Sequence, residues 1–331
     1  MLLPMAIHGN RTLRFIDANQ NGQLDQGDTD ITQYTWDHRN RLVKVEHRAS
    51  YAAAVDRVIE NAYDYANRWV RRRLDSDGDG HTDQRRIFVY DGNQIVLDFW
   101  RANSGDLQVG HLRERYLWGP AVDQILAEEN VDNGTDETIQ WNLTDHLNTV
   151  RDIAKYNSGS DMTTVVNHLI YDAFGRVTAE TNSAVDSLFL FTGRAFDSQT
   201  ELQNNLNRWY DASVGRWLSE DPIGFAGGDG NLYRYVENTA HTEKDPNGLW
   251  PYFKPKTYGD CIKDVEVTYQ GCRKRAAVVC ELYARLVSGG GLGNEPIRRQ
   301  IFLTCVLAYD FACQADRNLG WYLCRRWFCE T

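Results

Sequence analysis

Polar turns punctuate the first half of the chain at places where an aromatic ends one apolar-polar run and another run begins. Trp36-Asp37-x-x-Asn40-Arg41-Leu42-Val43 is one such phrase. Tyr63-Asp64-x-x-Asn67-Arg68-Trp69-Val70 is a second, and Tyr171-Asp172-x-x-Gly175-Arg176-Val177-Thr178 a third. Tyr90-Asp91-Gly92-Asn93 is a degenerate copy. Each reads as a hairpin. The aromatic closes a strand, Asp opens a type I turn by bonding its own backbone, and Asn or Gly takes the left-handed position. Arg then starts the return strand, whose alternation shows in Leu42-Val43-Lys44-Val45-Glu46. The pattern predicts a mainly β protein. A generic antiparallel β domain with good turns would read the same way.

Farther along, two Asp-Pro-x-Gly turns stand close together, Asp221-Pro222-Ile223-Gly224 and Asp245-Pro246-Asn247-Gly248. Before them come Phe191-Thr192-Gly193-Arg194, Asn207-Arg208-Trp209-Tyr210-Asp211 and Gly215-Arg216-Trp217-Leu218-Ser219-Glu220-Asp221. Asn231-Leu232-Tyr233-Arg234-Tyr235 lies between them. Residues 165–249 thus resemble the RHS repeat-associated core, and the hairpin phrases resemble YD repeats. The resemblance is to RHS/YD-repeat proteins of the polymorphic-toxin type. It implies hairpins that spiral into a hollow β-shell, with the core plugging one end. So few repeats cannot close a shell, because repeat units bury their faces only against neighbours. The chain reads as the C-terminal part of such an architecture, with exposed sheet edges.

The resemblance also assigns chemistry. Two carboxylates brought together cannot both ionise comfortably, so one holds a proton while the other serves as base for an attacking water. In the family the paired turns form an aspartic-type self-cleaving site. By motif position the catalytic carboxylates are Asp221 and Asp245, with Arg208 as the cation beside them. The cut falls between Leu249 and Trp250. No external substrate is evident, so self-cleavage is the only enzyme activity implied. Read from the residues alone, Asp-Pro-x-Gly is a turn signature and nothing more. The interval between the two turns is long for the family, with Gly227-Gly228-Asp229-Gly230 as the extra loop.

Two acidic turns suggest structural Ca2+. Asp17, Asn19, Asn21, Gln23, Asp25 and Asp28 fall at oxygen-bearing positions of a twelve-residue EF-hand-like loop, with Gly22 at the sixth. The last is Asp rather than Glu, which shortens its reach. A second loop offers Asp75, Asp77, Asp79, His81 and Asp83, but its twelfth position is Arg86, which cannot ligate. Strand-like neighbours make these hairpin tips that brace the shell rather than helix–loop–helix switches. A solvated acidic turn is the plainer alternative, and Asp132-Asn133-Gly134-Thr135-Asp136 reads as an ordinary turn.

Charge and cysteine usage both change after the second Asp-Pro turn. Residues 250–331 hold 12 Lys+Arg against 8 Asp+Glu, a net of +4, although the whole chain carries -10. All seven cysteines lie there. Three regions follow: 1–164 YD-repeat hairpins with calcium-like loops, 165–249 the RHS core, and 250–331 a variable cysteine-rich helical tail. Cys261, Cys272, Cys280, Cys305, Cys313 and Cys324 are disulfide candidates, with Cys329 left over. Zinc is the rival reading, but no CxxC pair and no His after His241 support it. The acidic balance gives no strong nucleic-acid signal for the chain as a whole. Within the tail, Arg273-Lys274-Arg275, Arg298-Arg299 and Arg325-Arg326 stand near aromatics such as Trp321 and Trp327. They fit either solvated helix faces or contacts to nucleic acid or anionic lipid.

No apolar run is long enough for a transmembrane helix, and the first residues lack the basic start of a signal peptide. The resemblance implies an extracellular or cell-surface parent architecture. Its partners would be the remainder of a shell, the cargo tail, an immunity protein and a target-cell surface. Three functions stay open: a shell and core that release a cargo after Leu249, a calcium-braced adhesion module with a disulfide-capped tail, and a tail toxin acting on nucleic acid.

Overall fold

The computed structural model describes residues 9–131, 138–227 and 229–249. Thirteen described strands form one antiparallel meander, each paired with the strand before and after it in sequence. They are β1 (Leu13–Ile16), β2 (Thr29–Trp36), β3 (Leu42–Ser50), β4 (Arg57–Tyr63), β5 (Trp69–Asp75), β6 (Gln84–Asp91) and β7 (Gln94–Ala102). Then come β8 (Leu112–Trp118), β9 (Ile125–Asn130), β10 (Thr138–Thr144), β11 (Val150–Asn157), β12 (Met162–Tyr171) and β13 (Val177–Glu180). A second meander holds β14 (Ala195–Asp197), β15 (Leu202–Asn205), β16 (Arg208–Asp211) and β17 (Arg216–Trp217). The only helical elements among the described residues are short 3₁₀ turns. The mainly β expectation holds. The cysteine-rich tail, its disulfide candidates and residues 132–137 lie outside the described residues.

The turn of the repeat phrase works as read, and each part of it has a cause. The Asp37 carboxylate accepts the backbone N–H groups of Arg39 (2.9 Å) and Arg41 (3.0 Å), and its second oxygen takes Arg41 Nε (2.7 Å). Asp64 does the same for Ala66 and Arg68. Asn40, Asn67 and Gly175 take positive φ of 57°, 64° and 86°. Arg41 then reaches the Asp64 carbonyl (3.0 Å) and Arg68 the Gly92 carbonyl (2.7 Å), tying each turn to the next. The same guanidiniums lie over Tyr63 and Tyr90, each 5.2 Å from the ring centre.

The return strands do not alternate from their first residue, as the sequence reading had it. Leu42 and Val45, three residues apart, are both buried. The reason is a bulge. Trp36 faces Leu42 but Thr35 faces Lys44, so Val43 is an extra residue. The same shift recurs opposite Tyr63, Tyr90, Trp118, Thr144 and Tyr171. A bulge bends a strand and increases its twist. Placed once per hairpin, it curls the sheet. The buried residues next to the bulges, Leu42, Trp69, Ile95, Ile125 and Val150, stack into the main core.

From Tyr63 on, the aromatics at this position cap a carbonyl beside the bulge of an earlier hairpin. Tyr63 Oη donates to the Leu42 carbonyl (2.7 Å), Tyr90 Oη to Trp69 (3.0 Å), Trp118 Nε1 to Ile95 (2.7 Å) and Tyr171 Oη to Val150 (2.7 Å). A buried carbonyl disturbed by a bulge needs a donor. That is why these positions are Tyr or Trp and not Phe.

The second meander packs into the curl. Leu188, Phe189, Ala195, Leu202, Trp209 and Leu218 belong to the same core cluster as Tyr34 and Leu169. β12 runs unbroken through positions 164 and 165. Buried ion pairs fasten the two sheets: Arg11 with Asp211 (2.6 Å), Arg72 with Asp197 (3.0 Å) and Arg194 with Asp123 (3.0 Å). The outer strands of the large meander, β1 and β13, have four residues each, which limits the unpaired edge.

Candidate functional site

The Arg-Trp-Tyr-Asp run forms β16, and all four residues are buried. Each side chain has its own task. Trp209 Nε1 donates to Tyr63 Oη (2.8 Å) and packs edge-on against Trp69. Tyr210 Oη donates to the Phe174 carbonyl (2.8 Å). Asp211 takes Arg11. Arg208 points to the two Asp-Pro turns.

Arg208 brings Asp221 and Asp245 together. Its Nη2 lies 2.9 Å from Asp221 Oδ2 and 3.2 Å from Asp245 Oδ2, with all three side chains at most 5% exposed. The guanidinium is held by three further contacts: Nε donates to the Gly248 carbonyl (2.5 Å), Nη1 to the Leu232 carbonyl (3.3 Å), and Cζ sits 4.2 Å above the Trp217 ring. Burial lowers the proton affinity of Arg208, against the pull of Asp245 and Asp221. Burial also raises the pKa of Asp221; Arg208 opposes that rise, and the Asp245 charge adds to it. One cation thus faces two buried carboxylates, and burial favours the protonated form of Asp221.

Local turn chemistry sets both carboxylates. Asp221 Oδ1 accepts the Ile223 N–H (3.0 Å), and the Gly224 N–H closes on the Asp221 carbonyl (2.8 Å). Asp245 Oδ1 accepts the Leu249 N–H (3.1 Å), while Asn205 Nδ2 holds the Asp245 carbonyl (2.6 Å). Gly248 has φ +67°, and a Cβ there would meet the Asn205 carbonyl at 2.7 Å. Leu249 is therefore anchored through its own N–H and through the carbonyl before it. The long interval does not separate the pair. Its extra loop is clasped by a bidentate bond from Arg234 to Asp229 (2.8 and 2.7 Å).

Trp217, Asn205 and the Leu232 carbonyl were not singled out by the sequence reading. Trp217 was visible as part of Gly215-Arg216-Trp217, but nothing in its spacing announced a ring under Arg208. Of the expected site residues, Asp221, Asp245, Arg208 and Leu249 converge, and Trp250 lies outside the described residues.

The acidic turns differ from one another. In the 75–83 loop, Asp75, Asp77 and Asp83 each turn one oxygen to a common point, within 4.8 Å of one another. Asp79 and His81 pair together instead (3.2 Å). In the 17–28 loop, Asp25 accepts the amides of Asn19 and Asn21, and Asp17 accepts the Gly22 N–H. Asp28 is buried and receives the N–H groups of Ala18 and Asp25. Arg86 turns away from the second loop, to Asp98.

Comparison with known proteins agrees with this architecture. Residues 138–239 match the Teneurin YD-shell family model. A probable deoxyribonuclease RhsB of Dickeya dadantii is 28% identical over 219 residues, covering 66% of this chain and 14% of that protein. A double-stranded DNA deaminase toxin A of Burkholderia cenocepacia is 27% identical over 259 residues, 73% of this chain and 18% of that one. The structure of the Photorhabdus luminescens Tc holotoxin pore superposes with a TM-score of 0.51 at 18% identity, over 71% of this chain and 11% of its own; this likeness is one of fold. These matches support an RHS/YD-repeat protein, and the chain spans under a fifth of the length of these relatives.

Proposed function

We propose that residues 9–249 act as shell and core of a polymorphic-toxin-type RHS protein, and that they cut their own chain between Leu249 and Trp250. The observation that carries this reading is the shared guanidinium of Arg208 between Asp221 and Asp245, with Leu249 tethered to one of them. Water adds to the Leu249 carbonyl carbon and gives a proton to Asp245. Asp221 gives its proton to the Trp250 nitrogen as the carbon–nitrogen bond breaks. A Leu249 carboxyl and a Trp250 amine result. Segment 250–331 is then the released cargo. Its partners are the rest of the shell, a target cell outside the producer and an immunity protein. The deoxyribonuclease and deaminase activities named for the relatives belong to proteins that lie mostly outside the match.

Intact mass spectrometry of the full chain beside an Asp245→Asn variant tests this. The expected result is two fragments meeting at Leu249–Trp250 in the wild type and one intact species in the variant. One intact species in both would make the turns structural.

The second reading, a calcium-braced surface module, is favoured by the convergence of Asp75, Asp77 and Asp83. These hard oxygens suit Ca2+, which takes 6–8 oxygen ligands. Bound there, the ion would brace the β5–β6 hairpin tip. Calcium at about 100 times its dissociation constant stabilises by about 2.7 kcal/mol. Thermal melting in calcium and in EGTA should therefore differ by several degrees, and Asp77→Asn should remove the difference. Identical melting curves would end the calcium reading.

A further inference from the structure

A second group of buried ionisable side chains lies apart from the Asp221–Asp245 pair. It lines a cavity of about 680 Å3 between the core-facing side of β6–β9 and the segment that joins β13 to β14. Cross-strand pairing assembles one wall: Asp98 faces Glu114, and Tyr116 faces Glu128. Asp98 gives one oxygen to Arg86. Its other oxygen, Oδ1, has no partner among the described residues, although the residue is only 1% exposed. The hydroxyl of Tyr116, 7% exposed, is likewise without a partner among them. A buried polar group left unpaired costs about 1–3 kcal/mol, and proteins rarely leave two beside one cavity.

The lining defines what would complete it. Glu114 accepts from Asn130 (2.9 Å), and Glu128 accepts from Asn142 (2.7 Å) and Ser187. With Glu180 and Asp186, five carboxyl side chains face three cations, Arg86, Arg113 and Lys155. Acceptors are in excess, and so is negative charge once Glu114 and Glu128 are ionised. Trp100, Tyr116 and Phe196 add aromatic surface of the kind on which flat cations settle.

We propose that this cavity binds an organic cation headed by a guanidinium or primary ammonium group, carried either on a small molecule or on a basic side chain. Such a head group supplies the N–H donors that Asp98 Oδ1 and Tyr116 can accept, and the charge that offsets the carboxyl excess. Burial pushes Glu114 up to about 8, with Glu128 second among the causes, and pushes Glu128 up to about 7. A bound cation would draw protons from both, so binding should tighten from pH 6 to pH 8.5.

Calorimetric titration of the full chain with agmatine, with butylamine and with a short arginine-containing peptide tests the proposal. The expected result is saturable binding of at least one probe, stronger at higher pH. Asp98→Asn and Glu114→Gln should each weaken it at least tenfold. Glu114 is only partly buried, so its variant keeps the test sound if the Asp98 variant does not fold. Tighter binding of the peptide would assign a side chain as the natural head group, and tighter binding of agmatine a free amine. No saturable binding up to about 10 mM of any probe, or equal affinity in wild type and Glu114→Gln, would overturn the proposal.

Discussion

Hydroxyls and indoles at the repeat aromatics do more than fill space. Tyr63 donates to the Leu42 carbonyl and accepts from Trp209, so one oxygen joins the hairpins to β16. Among the described residues, the Tyr90 hydroxyl makes the donor bond to Trp69 alone. The two positions should therefore respond differently to loss of the hydroxyl. Tyr63→Phe leaves the Trp209 N–H unpaired and should cost about 2–3 kcal/mol, whereas Tyr90→Phe should cost about 1 kcal/mol. Urea unfolding of both variants measures the difference, and equal losses would contradict the bridging role. The Asp of each phrase was legible in sequence because its bonds are to residues two and four places on. The aromatic's partner was not, because it lies in another hairpin, 21 residues back for Tyr63, Tyr90 and Tyr171.

Elements inherit their geometry from single positions. Six hairpins share a bulge, and no residue type marks it: Val43, Val70, Val96, Leu126, Arg151 and Thr178 are the extra residues. Two hairpins escaped notice for a related reason. At Thr144-Asp145 the aromatic is Thr, and at Trp118-Gly119 the Asp is Gly. Yet Asp145 still accepts the Leu147 and Thr149 N–H groups, and Asn148 takes φ 66°. The second Asp-Pro turn is the element on which the proposed cleavage depends. Gly248→Ala puts a side chain in a left-handed position, costing about 1–2 kcal/mol, and against the Asn205 carbonyl. Leu249 would shift from Asp245, and fragment formation should slow at least tenfold in a timed mass-spectrometric assay. Unchanged cleavage would mean that Leu249 need not be held there.

Across the whole molecule, buried acids make stability depend on pH. Glu114 and Glu128 are raised from the ordinary value of 4.5 to about 8 and about 7. Each binds its proton more tightly folded than unfolded. Their contribution is complete below about pH 4.5 and is lost as pH climbs through 7 and 8. Asp37 and Asp64, where burial is outweighed by bonds from their Arg partners and from turn N–H groups, are lowered and act in the opposite sense, but only as pH falls below 3.8. The melting temperature should fall from pH 5 to pH 8.5, and Glu114→Gln should flatten the upper part of that fall. A rise over the same range would refute the assignment. The sequence by itself determined the hairpin turns, the β class and the two Asp-Pro turns, because those depend on backbone bonds spanning a few residues. Only the tertiary structure decided that Arg208 joins Asp221 to Asp245, that Trp217 lies beneath it, and that Asp98, Glu114 and Glu128 share a cavity. Those meetings depend on strand register and on burial against distant strands, which no local spacing encodes.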